Sequence, residues 1–262
     1  EPEEIAVMRE SARIAVEAHC RAMRSCRPGM MEYEIEAEIL RIFLRNGAGW
    51  SYPAIVAGGD NSCILHYTEN NAQLQDGDLL LIDAGAEMDG YASDITRTFP
   101  VNGRFSDEQR AIYDLVLTAQ KAAIDKVRPG CRFNEPHDAA ARALTEGLVE
   151  LGLLRGDADE LIKAEKHKQF YMHRTGHWLG MDVHDVGDYK LGEQWRVLEP
   201  GMVLTIEPGL YIAPGTKGVP RRFQGIGIRI EDDVLVTRDG RSVLTADAPK
   251  EPGEIEALMA AA

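Results

Sequence analysis

Apolar and small residues recur at helical spacing in four stretches of the chain, and we predict a helix in each. On one face of the first stretch lie Ile5, Met8, Ala12, Val16 and Cys20. The third stretch opens with a Ser-x-x-Gln sequence, the spacing of a helix capping box. Glycines or an Arg-Pro-Gly sequence end the stretches. The predicted helices cover about 5–23, 32–45, 106–127 and 134–151.

Four other segments are rich in Leu, Ile, Val or Thr and are bounded by Gly or Pro, which predicts strands over 78–84, 91–99, 202–207 and 226–236. The first and third are nearly unbroken apolar runs, as expected for strands buried on both faces. Each of these two runs ends on a carboxylate, at Asp83 and Glu207. The second and fourth strands carry acids at Asp94 and Glu231. The predicted strands therefore carry four acids that are candidates for a functional site.

The predicted elements repeat along the chain. Arg27-Pro28-Gly29 precedes the second helix, and Arg128-Pro129-Gly130, 101 positions later, precedes the fourth. After each helix comes a glycine, an apolar strand that ends on an acid, and a later strand with another acid. The repeat predicts two pseudo-symmetric halves that each offer a pair of acids to a shared cleft.

Composition excludes several classes of protein. The chain has 262 residues, and 44% of them are hydrophobic, a proportion that is usual in globular proteins. Its net charge of −14 disfavours nucleic acid and anionic membranes as partners. The longest apolar run in a predicted strand, 79–82, is too short to span a bilayer. Four cysteines without a C-x-x-C pair indicate a reducing cytoplasm. The acidic first residues lack a signal peptide and an initiator methionine, so we expect a processed or truncated chain.

The four acids need positive charge if they converge, because a buried carboxylate without a partner costs several kcal/mol. Ion pairs inside the protein are one solution, for instance Arg229 with Asp94. Arg97 with Glu231 is another such pair. Two divalent cations are the second solution, since they balance four carboxylates. Oxygen ligands with one imidazole suit Mn²⁺, and less selectively Co²⁺, Fe²⁺ or Zn²⁺.

Histidines for such a site are concentrated in one segment. Four of the seven lie between His167 and His184. His173 and His177 have the spacing of a helical zinc motif, but Arg174 stands where that motif requires glutamate, and nearby glycines disfavour a helix. A single-zinc protease is therefore disfavoured. We assign His167, which lies between two lysines, to the surface.

Together these features resemble the pita-bread metallopeptidases, and most closely their bacterial proline-specific branch, aminopeptidase P, over essentially all 262 residues. The motifs that carry the resemblance are Leu81-Ile82-Asp83-Ala84-Gly85, Ser93-Asp94-Ile95-Thr96-Arg97-Thr98, His173-x-x-x-His177 and Glu207-Pro208-Gly209. The resemblance implies an α+β pita-bread fold, with two pseudo-symmetric halves around a curved, mostly antiparallel sheet. It also implies that residues 1–262 form a single catalytic domain and that the N-terminal domain of these enzymes is absent from this chain.

The resemblance further implies a dimanganese centre. In it, Asp83 chelates one metal, Asp94 and Glu231 bridge both, and His177 and Glu207 hold the second. The resemblance also implies that further residues line or support the site, namely His66, His173, His184, Arg229 and Tyr211. Glu207 is the candidate to accept a proton from water, and His184 or His66 the candidate to donate a hydrogen bond to the intermediate or to the leaving nitrogen.

The expected activity is hydrolysis of the bond between an N-terminal residue and a following proline by a metal-bridged hydroxide. The expected partners are peptides with proline at the second position, with neither nucleic acid nor membrane, and a homo-oligomer in the full-length form. Prolidase is the nearest alternative. Methionine aminopeptidase is disfavoured by the long gap between Asp94 and His177. A metal-free binding module is disfavoured because all five ligands are present.

Overall fold

The computed structural model describes residues 1–261, which form six helices and thirteen strands. The helices are α1 (Pro2–Ser25), α2 (Glu32–Arg45), α3 (Asp107–Ile124), α4 (Glu135–Glu150), α5 (Ala158–Lys163) and α6 (Pro252–Ala260). The first strands are β1 (Gly49–Trp50), β2 (Ile55–Gly58), β3 (Leu79–Asp83), β4 (Ala86–Met88), β5 (Tyr91–Ala92) and β6 (Thr96–Pro100). The later strands are β7 (Lys190–Leu191), β8 (Gln194–Trp195), β9 (Val203–Ile206), β10 (Gly209–Ile212), β11 (Ile226–Arg229), β12 (Asp232–Thr237) and β13 (Gly240–Val243).

The four predicted helices are confirmed as α1 to α4. The capping box at the start of α3 is present, because the Gln109 amide donates to the Ser106 hydroxyl at 3.2 Å and the Ser106 amide donates to the Gln109 side chain at 2.9 Å. The apolar stripe of α2, which includes Ile35, Ile39 and Phe43, is fully buried. Periodicity therefore predicts these helices well, because each one buries an apolar face.

All strand pairs in the described residues are antiparallel, which confirms the α+β class. The first half contains the sheet β2-β3-β6, and the second half contains the sheet β9-β12-β13. Three smaller sheets are β1-β4-β5, β10-β11 and β7-β8. Strands β6 and β11 meet where the halves join, since the Thr98 hydroxyl donates to the Arg229 carbonyl at 3.0 Å and accepts from the Arg229 amide at 3.2 Å.

The two halves repeat in detail. Gly29 and Gly130 both have a positive φ, of 91° and 85°, which favours glycine. The Gly29 amide donates to Leu74 at 2.8 Å, and the Gly130 amide donates to Leu198 at 3.0 Å. Each leucine stands five residues before its buried strand, β3 or β9. The predicted pseudo-symmetry is therefore present in the backbone, and it places the ends of β3 and β9 in equivalent positions.

The predicted strands over 91–99 and 226–236 are wrong in one respect, because each is interrupted. Ser93 to Ile95 separate β5 from β6, and Ile230 and Glu231 separate β11 from β12. The interruption in the second segment has a clear cause: β11 pairs with β10, whereas β12 pairs with β9 and β13. The chain therefore bends between two sheets at Glu231, and Asp94 lies in the corresponding break of the first half.

The alternative ion pair of Arg97 with Glu231 and the predicted surface position of His167 are also wrong. Arg97 pairs with Asp232 at 2.7 Å, not with a cavity acid, and Lys250 donates to the other oxygen of Asp232 at 2.5 Å. Although burial raises the pKa of Asp232, these two cations lower it to about 2. His167 is buried, with 4% of its surface exposed, because the turn that contains it directs its ring towards Tyr171.

One continuous apolar core crosses both halves and contains Ile14, Phe43, Phe99, Leu144 and Ile228. Within residues 1–261, none of the helices combines the length and the apolar character that a bilayer crossing requires.

Candidate metal centre

A cavity of about 470 Å³ lies where the two halves meet. The first half contributes its acids from the end of β3 and from the break before β6. The second half contributes its acids from the end of β9 and from the bend after β11. The predicted residues that line this cavity are His66, Asp83, Asp94, His173, His177, His184, Glu207, Arg229 and Glu231. All five predicted ligands thus face one space.

Asp94, His177 and Glu231 form the most compact part of this group. One potential ligand atom from each of these residues lies within 4.8 Å of the other two. Nε2 of His177 is 3.3 Å from Oδ2 of Asp94 and 3.8 Å from Oε1 of Glu207. Nδ1 of His177 is 2.9 Å from the Trp178 carbonyl, to which it donates as the protonated nitrogen. That hydrogen bond leaves Nε2 free to face the acids, as in histidines that bind metals.

The pKa values of the cavity side chains indicate which kind of ion the cavity could hold. Burial raises the pKa of Glu207 to about 7, and burial together with Asp94 raises that of Glu231 well above its ordinary value. Burial and the charge of Asp83 also raise the pKa of Asp94. Burial opposes protonation of His177, but Asp94 and Glu207 raise its pKa to about 9. The acids therefore meet less positive charge than they carry negative charge, and the donor set of oxygens and one imidazole fits divalent cations.

Arg229 supplies the cavity wall with its own positive charge. It donates to Oδ2 of Asp83 at 2.6 Å, to the Tyr211 hydroxyl at 2.9 Å and to the Thr96 hydroxyl at 3.0 Å. The predicted alternative of Arg229 with Asp94 is therefore wrong. The Arg229 guanidinium and a protonated His177 supply two positive charges for four carboxylates, so ion pairs within the protein are insufficient to explain the acids.

The supporting residues form a chain of contacts behind the ligands. Nε2 of His173 is 2.9 Å from the Tyr211 hydroxyl, which also accepts from Arg229. Burial and the charge of Arg229 lower the pKa of His173 to about 3, so this ring is neutral. The rings of His184 and His177 meet edge to face at 4.4 Å between centroids. The structure thus groups every predicted site residue in or directly behind the cavity.

The contacts of three residues were not expected from the sequence. The Tyr52 hydroxyl lies 2.6 Å from Oδ1 of Asp83 and 2.5 Å from Oδ1 of Asp94. The Thr96 hydroxyl donates to Glu231 at 2.6 Å. Oδ2 of Asp233 accepts from the Asp94 amide at 3.1 Å. Thr96 and Asp233 stand beside motif acids and could have been suspected, whereas Tyr52 lies in a loop without any pattern that points to it.

Comparison with known proteins agrees with this geometry. The profile of metallopeptidase family M24 matches residues 6–238. The Xaa-Pro aminopeptidase of Escherichia coli (strain K12) is 56% identical over 262 residues, which is 100% of this chain and 59% of that protein. This chain therefore spans about three fifths of the length of that relative.

Solved structures show the same relationship. The structure of Pseudomonas aeruginosa aminopeptidase PepP is 61% identical, with a TM-score of 0.99, and the match covers 100% of this chain and 59% of that one. Aminopeptidase P from Escherichia coli with the inhibitor Pro-Leu is 56% identical, with a TM-score of 0.97 and the same coverage. These likenesses confirm the pita-bread fold. The chain belongs to metallopeptidase family M24.

Proposed function

We propose that this chain is the catalytic domain of a dimetal exopeptidase that releases the N-terminal residue of a peptide when proline follows. The observation that carries the proposal is the convergence of four carboxylates and one imidazole on a cavity whose wall pairs only one of the acids with an arginine. The activity named for the Escherichia coli relative supports the choice of substrate.

The proposed ligands are those that the family resemblance implies, and the grouping of Asp94, His177 and Glu231 supports them. Asp94 and Glu231 would bridge two cations, Asp83 would hold the first, and His177 and Glu207 would hold the second. We propose Mn²⁺, with Co²⁺, Fe²⁺ or Zn²⁺ as substitutes, because the donors are mainly oxygen. When bound, divalent cations supply Lewis acidity towards the peptide carbonyl and lower the pKa of water.

The side chains of this protein would perform the remaining steps. Glu207 is more exposed than Asp94, with 18% against 6% of the side chain accessible, so one of its oxygens can reach water and accept a proton. His66 and His184 face the same cavity and would donate to the tetrahedral intermediate or to the leaving nitrogen. The proline nitrogen must be protonated as the bond breaks, which requires such a donor. Arg229 and Tyr211 would hold Asp83 and His173 in position.

We also propose that the full-length protein acts in the cytoplasm and assembles as a homo-oligomer. All four cysteines are unpaired thiols, which supports a reducing compartment. Its partners would be peptides with proline at the second position.

The test is turnover of three peptides after chelation and addition of Mn²⁺. We expect cleavage of an Xaa-Pro-Yaa tripeptide, with poor cleavage of an Xaa-Pro dipeptide and of Met-Ala-Ser. Cleavage of the dipeptide alone would indicate a prolidase, and cleavage of the Met peptide alone a methionine aminopeptidase. Asp94→Ala should abolish turnover, whereas Glu87→Gln, which removes an exposed acid without a side-chain partner, should not. Normal turnover by Asp94→Ala would refute the proposal.

A further inference from the structure

We infer that Arg174, which lines the cavity, and Lys190, which lies over the same Trp195 ring as Arg174, form a cationic rim that binds a carboxylate of the substrate downstream of the cleaved bond. This inference rests on the proposed function, since it names a feature of the peptide that the same site selects.

Trp195 is the platform of the cationic rim. The guanidinium carbon of Arg174 and Nζ of Lys190 each lie 4.6 Å from the centroid of the Trp195 ring, within the range of cation–π attraction. Trp195 belongs to the β7–β8 hairpin and stacks on Phe133 with 6.4 Å between centroids. Phe133 in turn packs against Tyr189 at 4.7 Å. The aromatic cluster therefore holds both cations in place.

Arg174 is available to a ligand. It lines the catalytic cavity, and among residues 1–261 no carboxylate lies within ion-pair distance of its guanidinium. The same holds for Lys190. By contrast, Arg229 and Arg97 pair with Asp83 and Asp232. An unpaired cation in a chain of net charge −14 is suited to attract an anion from outside.

The distance from the acids suits a short peptide. Arg174 precedes His177 by three residues, so an extended backbone separates them by about 10 Å at most. This backbone is fixed to the strand that carries Glu207, because the Glu207 amide donates to Thr175 at 2.8 Å and the Thr205 amide donates to His177 at 3.0 Å. Because Arg174 and the acids line the same cavity, and a tripeptide is about as long as this backbone segment, we infer that the C-terminal carboxylate reaches Arg174 while the first peptide bond lies at the acids. An acidic side chain of a longer peptide can do the same.

The experiment compares substrates that differ only in charge. With the metal-loaded protein, we expect kcat/KM for the tripeptide Ala-Pro-Ala to exceed that for its C-terminal amide by about 3- to 10-fold, through KM, since exposed and hydrogen-bonded ion pairs contribute on this scale. Arg174→Gln should remove most of this difference, and Lys190→Gln should have a smaller effect in the same direction. A pentapeptide amide with Glu or Gln at the fourth position distinguishes a side-chain carboxylate from the terminal one.

Arg222→Gln is the matched control. Arg222 also forms a cation–π contact, with Phe223 at 5.1 Å, but it does not line the cavity. This variant should keep the preference for the acid. If Arg174→Gln lowered turnover of acid and amide equally, the rim would have only a structural role and the inference would be wrong.

A binding measurement separates this inference from the proposed function. Calorimetry of Pro-Leu and its amide reports on the cationic rim even if no peptide is cleaved. Tighter binding of Pro-Leu than of the amide, lost in Arg174→Gln, supports the rim. Equal binding of the two by the unmodified protein overturns it. Absence of turnover with a retained binding preference would refute only the proposed exopeptidase.

Discussion

Replacing Tyr52 with phenylalanine removes a single hydroxyl from between two proposed metal ligands. That hydroxyl lies 2.6 Å from Asp83 and 2.5 Å from Asp94, and it can donate one proton to either. Its hydrogen bond also lowers the pKa of Asp94, against the larger effects of burial and of the Asp83 charge, which raise it. Tyr52→Phe should therefore make ionised Asp94 less favourable and its orientation less constrained.

The expected size of the effect follows from the hydrogen bond. A bond to a charged group contributes about 1.5–3 kcal/mol, and each 1.36 kcal/mol corresponds to a tenfold change in affinity. Removal of a residue that orients a metal ligand typically costs about 10- to 100-fold in metal affinity or activity. We therefore expect Tyr52→Phe to weaken Mn²⁺ binding by about 10- to 100-fold while the fold is retained.

The assay is calorimetric titration of the chelated protein with Mn²⁺, accompanied by turnover of Xaa-Pro-Yaa at increasing Mn²⁺ concentration. Excess Mn²⁺ should restore much of the activity of Tyr52→Phe, because the ligands themselves remain. Tyr33→Phe is the control, since Tyr33 is 53% exposed and has no hydrogen-bonded side-chain partner. Unchanged Mn²⁺ affinity in Tyr52→Phe, with the fold intact, would show that the hydroxyl does not organise the ligands.

Three further perturbations concern stability. Arg97→Met leaves the buried Asp232 with Lys250 as its one cation, and we expect the free energy of unfolding in urea to fall by about 3–5 kcal/mol. In Gly176→Ala the new Cβ would lie 1.9 Å from the Thr205 carbonyl, so we expect about 1–3 kcal/mol of destabilisation and loss of turnover. Burial lowers the pKa of His19 from 6.5 to about 4, so as the pH falls the unfolded chain binds this proton before the folded chain does. The contribution of neutral His19 to stability should therefore be complete above pH 6.5 and be lost as the pH decreases towards 4.

Each stability prediction has a control. Arg104→Met removes an exposed arginine and should change the unfolding free energy by less than about 0.5 kcal/mol. Gly49→Ala places its Cβ in open space and should be equally mild. His19→Gln should reduce the loss of stability between pH 6.5 and 4. An equal pH dependence in that variant would assign it to other groups, and a fully stable Arg97→Met or Gly176→Ala would contradict the packing described above.

The sequence by itself determined the main helices and the two buried strands, and its motifs named the acids and histidines that the structure brings to the cavity. Helices α1 to α4 were predictable because an amphipathic helix repeats its apolar face every three to four residues. The strands that end at Asp83 and Glu207 were predictable because buried runs are short, apolar and bounded by glycine or proline. The repeat around Gly29 and Gly130 could be read directly, since equivalent turns require equivalent residues.

The tertiary structure alone decided how distant residues meet. The breaks at Asp94 and Glu231 arise where the chain leaves one sheet for another. Strand propensity does not predict such a change of pairing partner, because it depends only on the residue types within the segment. Arg229 contacts Asp83, across 146 positions, because β11 and β3 lie side by side near the cavity. Tyr52 reaches Asp83 and Asp94 from the irregular segment between β1 and β2. Contacts between residues far apart in the chain depend on the packing of whole elements, so no local pattern of residue types specifies them.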